Sequence, residues 1–133
     1  MEIIDKGLVK FWIEEGILHN ELKHDIVITP DTAKELIEQR HKISNGENQY
    51  WCFSIDNITS FTREGIKYVE VHGQDFLNAT AIITDSKLKK LMFNFFSNIH
   101  ATIVPTQAFN TKEDAIKWLK QKMEENERIK TAK

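Results

Sequence analysis

Cysteine is almost absent from this 133-residue chain, which carries only one, Cys52. A single thiol excludes an internal disulfide and a cysteine-rich zinc site. Because Cys52 lies inside the apolar run 50–55, we expect a small buried side chain and not a reactive thiol. Sulfur chemistry is therefore not where we look for the function of this protein.

Long apolar runs are also absent, and no run approaches the roughly 18 residues that a membrane-spanning helix needs. Residues 1–6 lack the basic stretch and the following apolar core of a signal peptide. We therefore expect a cytoplasmic protein without membrane insertion.

An excess of one charge is missing as well, since 18 Lys and Arg residues stand against 20 Asp and Glu residues, for a net charge of −2. This balance argues against binding to nucleic acid or anionic lipid through bulk charge. The chain is 41% hydrophobic and 29% charged, as expected of a folded domain. We predict one domain over residues 1–123 and a charged helix end or tail over residues 124–133.

Proline and glycine are scarce and separate the apolar segments. Segments 8–13 and 17–22 predict an antiparallel hairpin, and 25–29 continues in extended form. A helix is predicted to begin with Thr29 as its cap and to end at 45–46, and its inner positions include Arg40. Strands are also predicted over 49–55, over 77–83 and within 101–109, and helices over 62–74, after Asp85 or Ser86, and from Thr111.

The helix after Ser86 has the clearest apolar pattern in the chain. Its apolar residues recur at helical spacing and form one stripe, which we expect to be core. The stripe consists of Leu88, Leu91, Met92, Phe95, Phe96 and Ile99. The alternation of strands and helices predicts the α/β class, with a mixed sheet in which parallel strands follow the N-terminal antiparallel hairpin.

Signatures of catalysis and metal binding are missing. There is no glycine-rich phosphate loop, no nucleophile turn and no pair of histidines at metal-binding spacing on a helix. We therefore predict no enzymatic activity, no metal and no cofactor. Asp56 follows a buried strand, and ligands bind at the carboxyl ends of strands in open α/β sheets. The simpler interpretation is that Asp56 closes the strand by accepting loop N–H groups.

Two aromatic residues lie off the predicted inner stripes. Ile66, Val69 and Gly73 form the predicted inner stripe of their helix, so Tyr68 is expected to face elsewhere. Phe93 lies outside the stripe of the next helix. A large aromatic there is either core at the flank of a helix or a contact for a partner or ligand.

Four segments carry a resemblance to a known family: 81–86, 93–96, 104–106 and 109–119, of which the last is the most specific. Over about residues 16–121 the chain resembles the SpoIIAA-like or STAS superfamily, named for sulfate transporters and anti-sigma factor antagonists. Within that superfamily it is most similar to small bacterial proteins of the STAS/SEC14-like group.

The resemblance implies a single STAS-like domain, with about four helices packed mainly on one face of the sheet, and no catalysis. Anti-sigma factor antagonists of the superfamily bind a kinase-like partner and are switched by phosphorylation of a serine that follows an Asp. Aligning Gly65 with the family's glycine puts Arg63 in place of that serine and Thr62 in place of that Asp, so the switch is not reproduced. Thr59, Ser60 and Thr62 are nearby hydroxyls, for which capping is the first role.

We expect a non-enzymatic STAS-like regulatory or protein-interaction module that acts with a protein partner, as a homodimer or with another protein. Its contact surface is predicted to include Thr62, Arg63, Tyr68 and Phe93. The alternative, which the SEC14-like side of the resemblance suggests, is a binder of a small apolar or lipid-like molecule. Its pocket would be lined by Phe93, Phe95, Phe96 and Trp118.

Overall fold

The computed structural model describes residues 3–5, 7–87, 89–90 and 104–131. These residues contain eight strands and three helices with defined bounds. In chain order they are β1 (Ile4–Asp5), β2 (Val9–Glu14), β3 (Ile17–Leu22), β4 (Ile26–Ile28), α1 (Pro30–Ser44), β5 (Gln49–Ser54), β6 (Ile58–Phe61), α2 (Arg63–His72), β7 (Leu77–Ile83), β8 (Thr106–Phe109) and α3 (Lys112–Thr131).

Six of the strands form one mixed sheet in the order β1-β2-β3-β5-β7-β8. The strand β2 is antiparallel to both of its neighbours, β1 and β3, and β3, β5, β7 and β8 run parallel. The predicted hairpin followed by parallel strands is therefore confirmed. A separate parallel pair of β4 and β6 was not predicted, because β6 is only four residues long and half of it is exposed.

The ends of α1 follow from its sequence. The Thr29 hydroxyl accepts the Thr32 backbone N–H at 3.2 Å, and Pro30 occupies the first turn, where its missing N–H costs nothing. Asn45 ends the helix with a φ of 51°, a left-handed conformation that asparagine tolerates. The predicted start and end of this helix both match the structure.

The sheet carries helices on both of its faces. Trp51 points into the larger apolar cluster with Leu36 of α1, whereas its neighbour Cys52 points into a second cluster with Ala115 and Leu119 of α3. Because successive strand residues face opposite ways, α3 covers the face opposite α1. The expectation of helices mainly on one face holds for α1 and α2 and is wrong for α3.

The handedness of strand connections explains this arrangement. The parallel strands follow one another across the sheet in a single direction, so right-handed crossovers place α1 and α2 on the same face. No strand follows α3 among the described residues, so this rule does not constrain it. It buries the second face, which a parallel sheet needs to have covered.

The described residues contain three helices with defined bounds, whereas about four helices were expected. The helix predicted after Ser86 lies mostly outside the described residues, together with its apolar stripe and Phe93. Pro105 immediately precedes β8, where its lack of a backbone donor does not interrupt the ladder.

Candidate functional site

The start of α2 is where the predicted contact residues Thr62 and Arg63 lie. The Thr62 hydroxyl accepts the Gly65 N–H at 3.0 Å and lies 3.3 Å from the Ile28 carbonyl oxygen, to which it donates. The Thr62 N–H also donates to that carbonyl, at 2.9 Å. Thr62 is thus a helix cap that ties α2 to β4, while Arg63 is exposed beside it.

Gly65 lets α2 approach β4 at backbone distance. A Cβ on this residue would overlap the Ile28 carbonyl oxygen and would lie 3.0 Å from the Thr29 Cα. Gly65 is also the one buried residue of α2. The glycine on which the family alignment was based therefore has a steric reason to be glycine.

The inner face of α2 differs from the predicted one. Tyr68 packs against the larger apolar cluster, and its ring lies 4.5 Å from that of His72. Val69, which was expected to face inward, is exposed. The prediction for Tyr68 and Val69 is therefore wrong, because the close approach at Gly65 turns the Gly65–Tyr68 side of the helix toward the core.

The aromatic residues of the predicted ligand pocket are only partly described. Phe93, Phe95 and Phe96 lie outside the described residues. The Trp118 ring packs at 5.7 Å from that of Phe109, and the Lys122 ammonium lies 5.4 Å from the Trp118 ring centroid. Trp118 is thus part of the α3 packing layer.

A surface hollow of about 430 Å³ lies on α3. Met123 lines it with three charged residues, Glu124, Glu127 and Arg128. The hollow is open to solvent along one side of the helix, unlike the enclosed pockets that bury an apolar ligand.

Asp56 closes β5, as the simpler interpretation of the sequence has it. One carboxylate oxygen of Asp56 accepts the Thr84 hydroxyl at 3.0 Å and the Asp85 N–H at 3.1 Å. The Lys89 ammonium donates to the Asp56 carbonyl at 3.1 Å. In this sheet the parallel strands do not reverse their order, so the crevice in which open α/β sheets usually bind ligands does not form.

Cys52 and His19 are register partners on β5 and β3, where a thiol and an imidazole could form a nucleophilic pair. Burial raises the pKa of the Cys52 thiol to about 11. Burial, together with the nearby Lys112 ammonium, lowers the pKa of His19. Both groups are therefore held neutral near pH 7, which is the state of structural residues and not of an activated nucleophile.

Arg40 is a buried cation whose several hydrogen bonds the sequence did not indicate. Its guanidinium is fully buried and lies 5.2 Å from the Trp51 ring centroid. One terminal nitrogen donates to the Asp75 carbonyl at 2.7 Å and to the Gly73 carbonyl at 3.3 Å. The other donates to the Phe76 carbonyl and to Gln49 Oε1, both at 3.4 Å.

These contacts make Arg40 the clamp of the turn 73–76, which joins α2 to β7. The acceptors are neutral carbonyls, and Gly73 lies at the C-terminal end of α2, where the helix dipole favours a cation. Burial lowers the pKa of Arg40 to about 10, although the nearby Asp75 carboxylate opposes this effect. The guanidinium thus remains charged near neutral pH.

Neither a metal site nor a membrane-spanning helix is found among the described residues. No group of three or more His, Cys, Asp or Glu side chains in that part of the chain is arranged to hold a metal ion. Among the helices described, none combines the length and the apolar character that crossing a membrane requires.

Comparison with known proteins identifies the fold. A family model described as domain of unknown function DUF7793 matches residues 11–123. A similar solved structure is that of an uncharacterized protein from the DUF3478 family with a SpoIIAA-like fold, from Shewanella loihica PV-4. The match has a TM-score of 0.61 at 17% identity and covers 87% of this chain and 98% of that one. No curated protein matches the chain. The predicted SpoIIAA-like fold is therefore confirmed.

Proposed function

Because this chain belongs to the DUF7793 family and has a SpoIIAA-like fold, we propose that it is a non-catalytic protein-interaction module. The observation that carries the proposal is the outward stripe of α2. Arg63, Lys67 and Val71 follow one another at intervals of four residues, so they share one side of the helix. All three are exposed, and Val71, at 64% exposure, adds an apolar side chain to the two cations of this side, close to the exposed Val69.

The absence of catalysis is part of the proposal and is supported by the state of the reactive groups. The Asp56 carboxylate is engaged in closing its strand, and the Cys52 thiol is buried with a pKa of about 11. Neither group is prepared for acid–base or nucleophilic work.

The experiment is affinity capture from an extract of the source organism, using the full chain as bait. We expect a protein, or a second copy of the chain, that is captured by the wild type and lost with Val71→Asp and Arg63→Glu. Ile129→Asp is the matched control, because Ile129 is also an exposed apolar residue on a helix, at 58% exposure. Equal capture by Val71→Asp and the wild type contradicts the assignment of the surface.

The apolar-ligand alternative predicts a different result. Native mass spectrometry of the purified chain would then show a bound small molecule, extractable into organic solvent, whose loss accompanies substitution of Trp118. We place this alternative second because the Trp118 ring is already packed between Phe109 and Lys122.

A further inference from the structure

Phe76 has a backbone conformation that bulky residues rarely adopt. Its φ is 59°, in the left-handed region where a side chain approaches the following carbonyl and where glycine or asparagine is normally found. If only the shape of the turn mattered, a phenylalanine here would add backbone strain that a glycine avoids. Its side chain must therefore supply something that glycine lacks.

The strained conformation is fixed by the surrounding structure. The Phe76 carbonyl accepts the Gln49 N–H at 2.9 Å and an Arg40 N–H at 3.4 Å, and Arg40 holds two further carbonyls of the same turn. The turn is thus rigid before any partner arrives. A rigid contact loses little conformational entropy when it binds.

Among the described residues the Phe76 ring makes few contacts. It remains 39% exposed and is not part of either apolar cluster, and its described ring contact is an edge-on approach to His41 at 5.2 Å. The contacts of the described residues thus do not account for the presence of a phenylalanine here.

We propose that the turn 73–76 is a partner-binding turn whose anchor is the Phe76 ring, received by an apolar pocket with a basic rim on a protein partner. This inference rests on the proposed function and names the anchor and the partner's chemistry. The basic rim follows from the exposed acidic groups nearby, because the Asp75 and Glu38 carboxylates both lie near the His41 ring that touches Phe76. The other charged or titratable groups near that ring are the Arg40 guanidinium, which is buried, and the His72 imidazole. Asp75 and Glu38 are exposed and free to face a partner.

The first test measures stability and needs no partner. We expect Phe76→Gly to unfold at the same urea concentration as the wild type or at a higher one, because relief of the left-handed strain offsets the loss of one ring contact. A clear fall in the urea midpoint means that the ring acts in folding and overturns the proposal.

The second test places a photo-crosslinking phenylalanine analogue at position 76 of the full chain, which is then exposed to the extract used for affinity capture. We expect a crosslinked protein whose yield falls by about tenfold or more with the charge reversals Asp75→Lys and Glu38→Lys. The same analogue at Val27, which is 40% exposed on a strand, is the matched control and should crosslink to no common product.

The outcomes separate the two proposals. If the wild-type chain captures a partner but position 76 does not crosslink to it, the role of Phe76 is refuted and the interaction module stands. If crosslinking persists unchanged after both charge reversals, the basic rim is wrong. If the wild type captures nothing, the proposed function and this inference fail together.

Discussion

Arg40 shows how far a single residue can be predicted from its position. Its spacing from Leu36 and Ile37 puts it on the buried side of α1, and the structure confirms that it is fully buried. The backbone carbonyls that it binds come from residues 33 to 36 positions later in the chain. No local pattern marks backbone acceptors at that separation, so the sequence predicts the inward position and not the clamp.

Replacing Arg40 by methionine should destabilise the fold by about 3–5 kcal/mol. The methionine fills much of the volume but leaves the part-buried carbonyls of Gly73, Asp75 and Phe76 without the Arg40 donor, and each lost partner of this kind is costly. Arg40→Lys should also lose stability, because an ammonium cannot reproduce the planar fork that reaches four acceptors. Urea unfolding followed by circular dichroism measures both changes.

The control for this prediction is Arg63→Met. Arg63 is exposed at the start of α2, and we expect its replacement to change stability by about 0.5 kcal/mol or less. If Arg40→Met and Arg63→Met unfold at the same urea concentration, the clamp does not stabilise the protein.

At the scale of elements, the ends of helices were easier to predict than their faces. Thr29 and Thr62 cap α1 and α2 as their residue types suggest. The inner face of α2 was ambiguous, because Ile66 and Val69 and the alternative pair Gly65 and Tyr68 have the same spacing of three. Their apolar side chains favour Ile66 and Val69 as the inner pair. Gly65 and Tyr68 face inward instead, because a residue without a Cβ fits against β4.

Gly65→Ala should destabilise the protein by about 1–3 kcal/mol, although alanine is the better helix former. The added methyl group meets the Ile28 carbonyl, which is backbone and cannot rotate away. The helix α2 must then move off β4, and the Thr62 cap bonds lengthen. Lys67→Ala on the exposed side of the same helix is the control, and its stability should equal or slightly exceed that of the wild type. A Gly65→Ala variant that unfolds no earlier than Lys67→Ala contradicts this account.

At the scale of the molecule, the continuous apolar run 50–55 indicates a strand that is covered on both faces, yet the resemblance implies helices mainly on one. The structure resolves this conflict through α3, which covers Cys52, Ala79 and Ala81 on the second face. The helical spacing of Ala115, Ile116, Leu119 and Met123 predicts the inner side of α3, and Ala115 and Leu119 are fully buried there. It did not predict which face they cover, because periodicity within one helix says nothing about the layer on which that helix packs.

The packing of α3 makes the lone cysteine a reporter of the second face. Ala115 and Leu119 are fully buried in the same cluster as Cys52. Both residues lie within the family match, which ends at residue 123, and the helix continues beyond it to Thr131. We expect a chain ending at residue 123 to fold and to keep the Cys52 thiol unreactive, because it keeps Ala115 and Leu119. The two turns that it loses include the Asn126–Tyr50 hydrogen bond and the exposed Lys122–Glu125 ion pair.

A chain ending at residue 110 should fail to protect that thiol. Without α3, the apolar face over β5 and β7 is open to water, and the loss of Leu119 alone should cost about 2–5 kcal/mol, as judged from large-to-small core substitutions. Reaction of Cys52 with a chromogenic disulfide under native conditions measures the effect, and Leu119→Ala in the full chain should react at an intermediate rate. Because the chain has one cysteine, every reacting thiol reports this face. Equal protection of Cys52 in the chains ending at 110 and 123 would mean that α3 is not the layer that closes the domain.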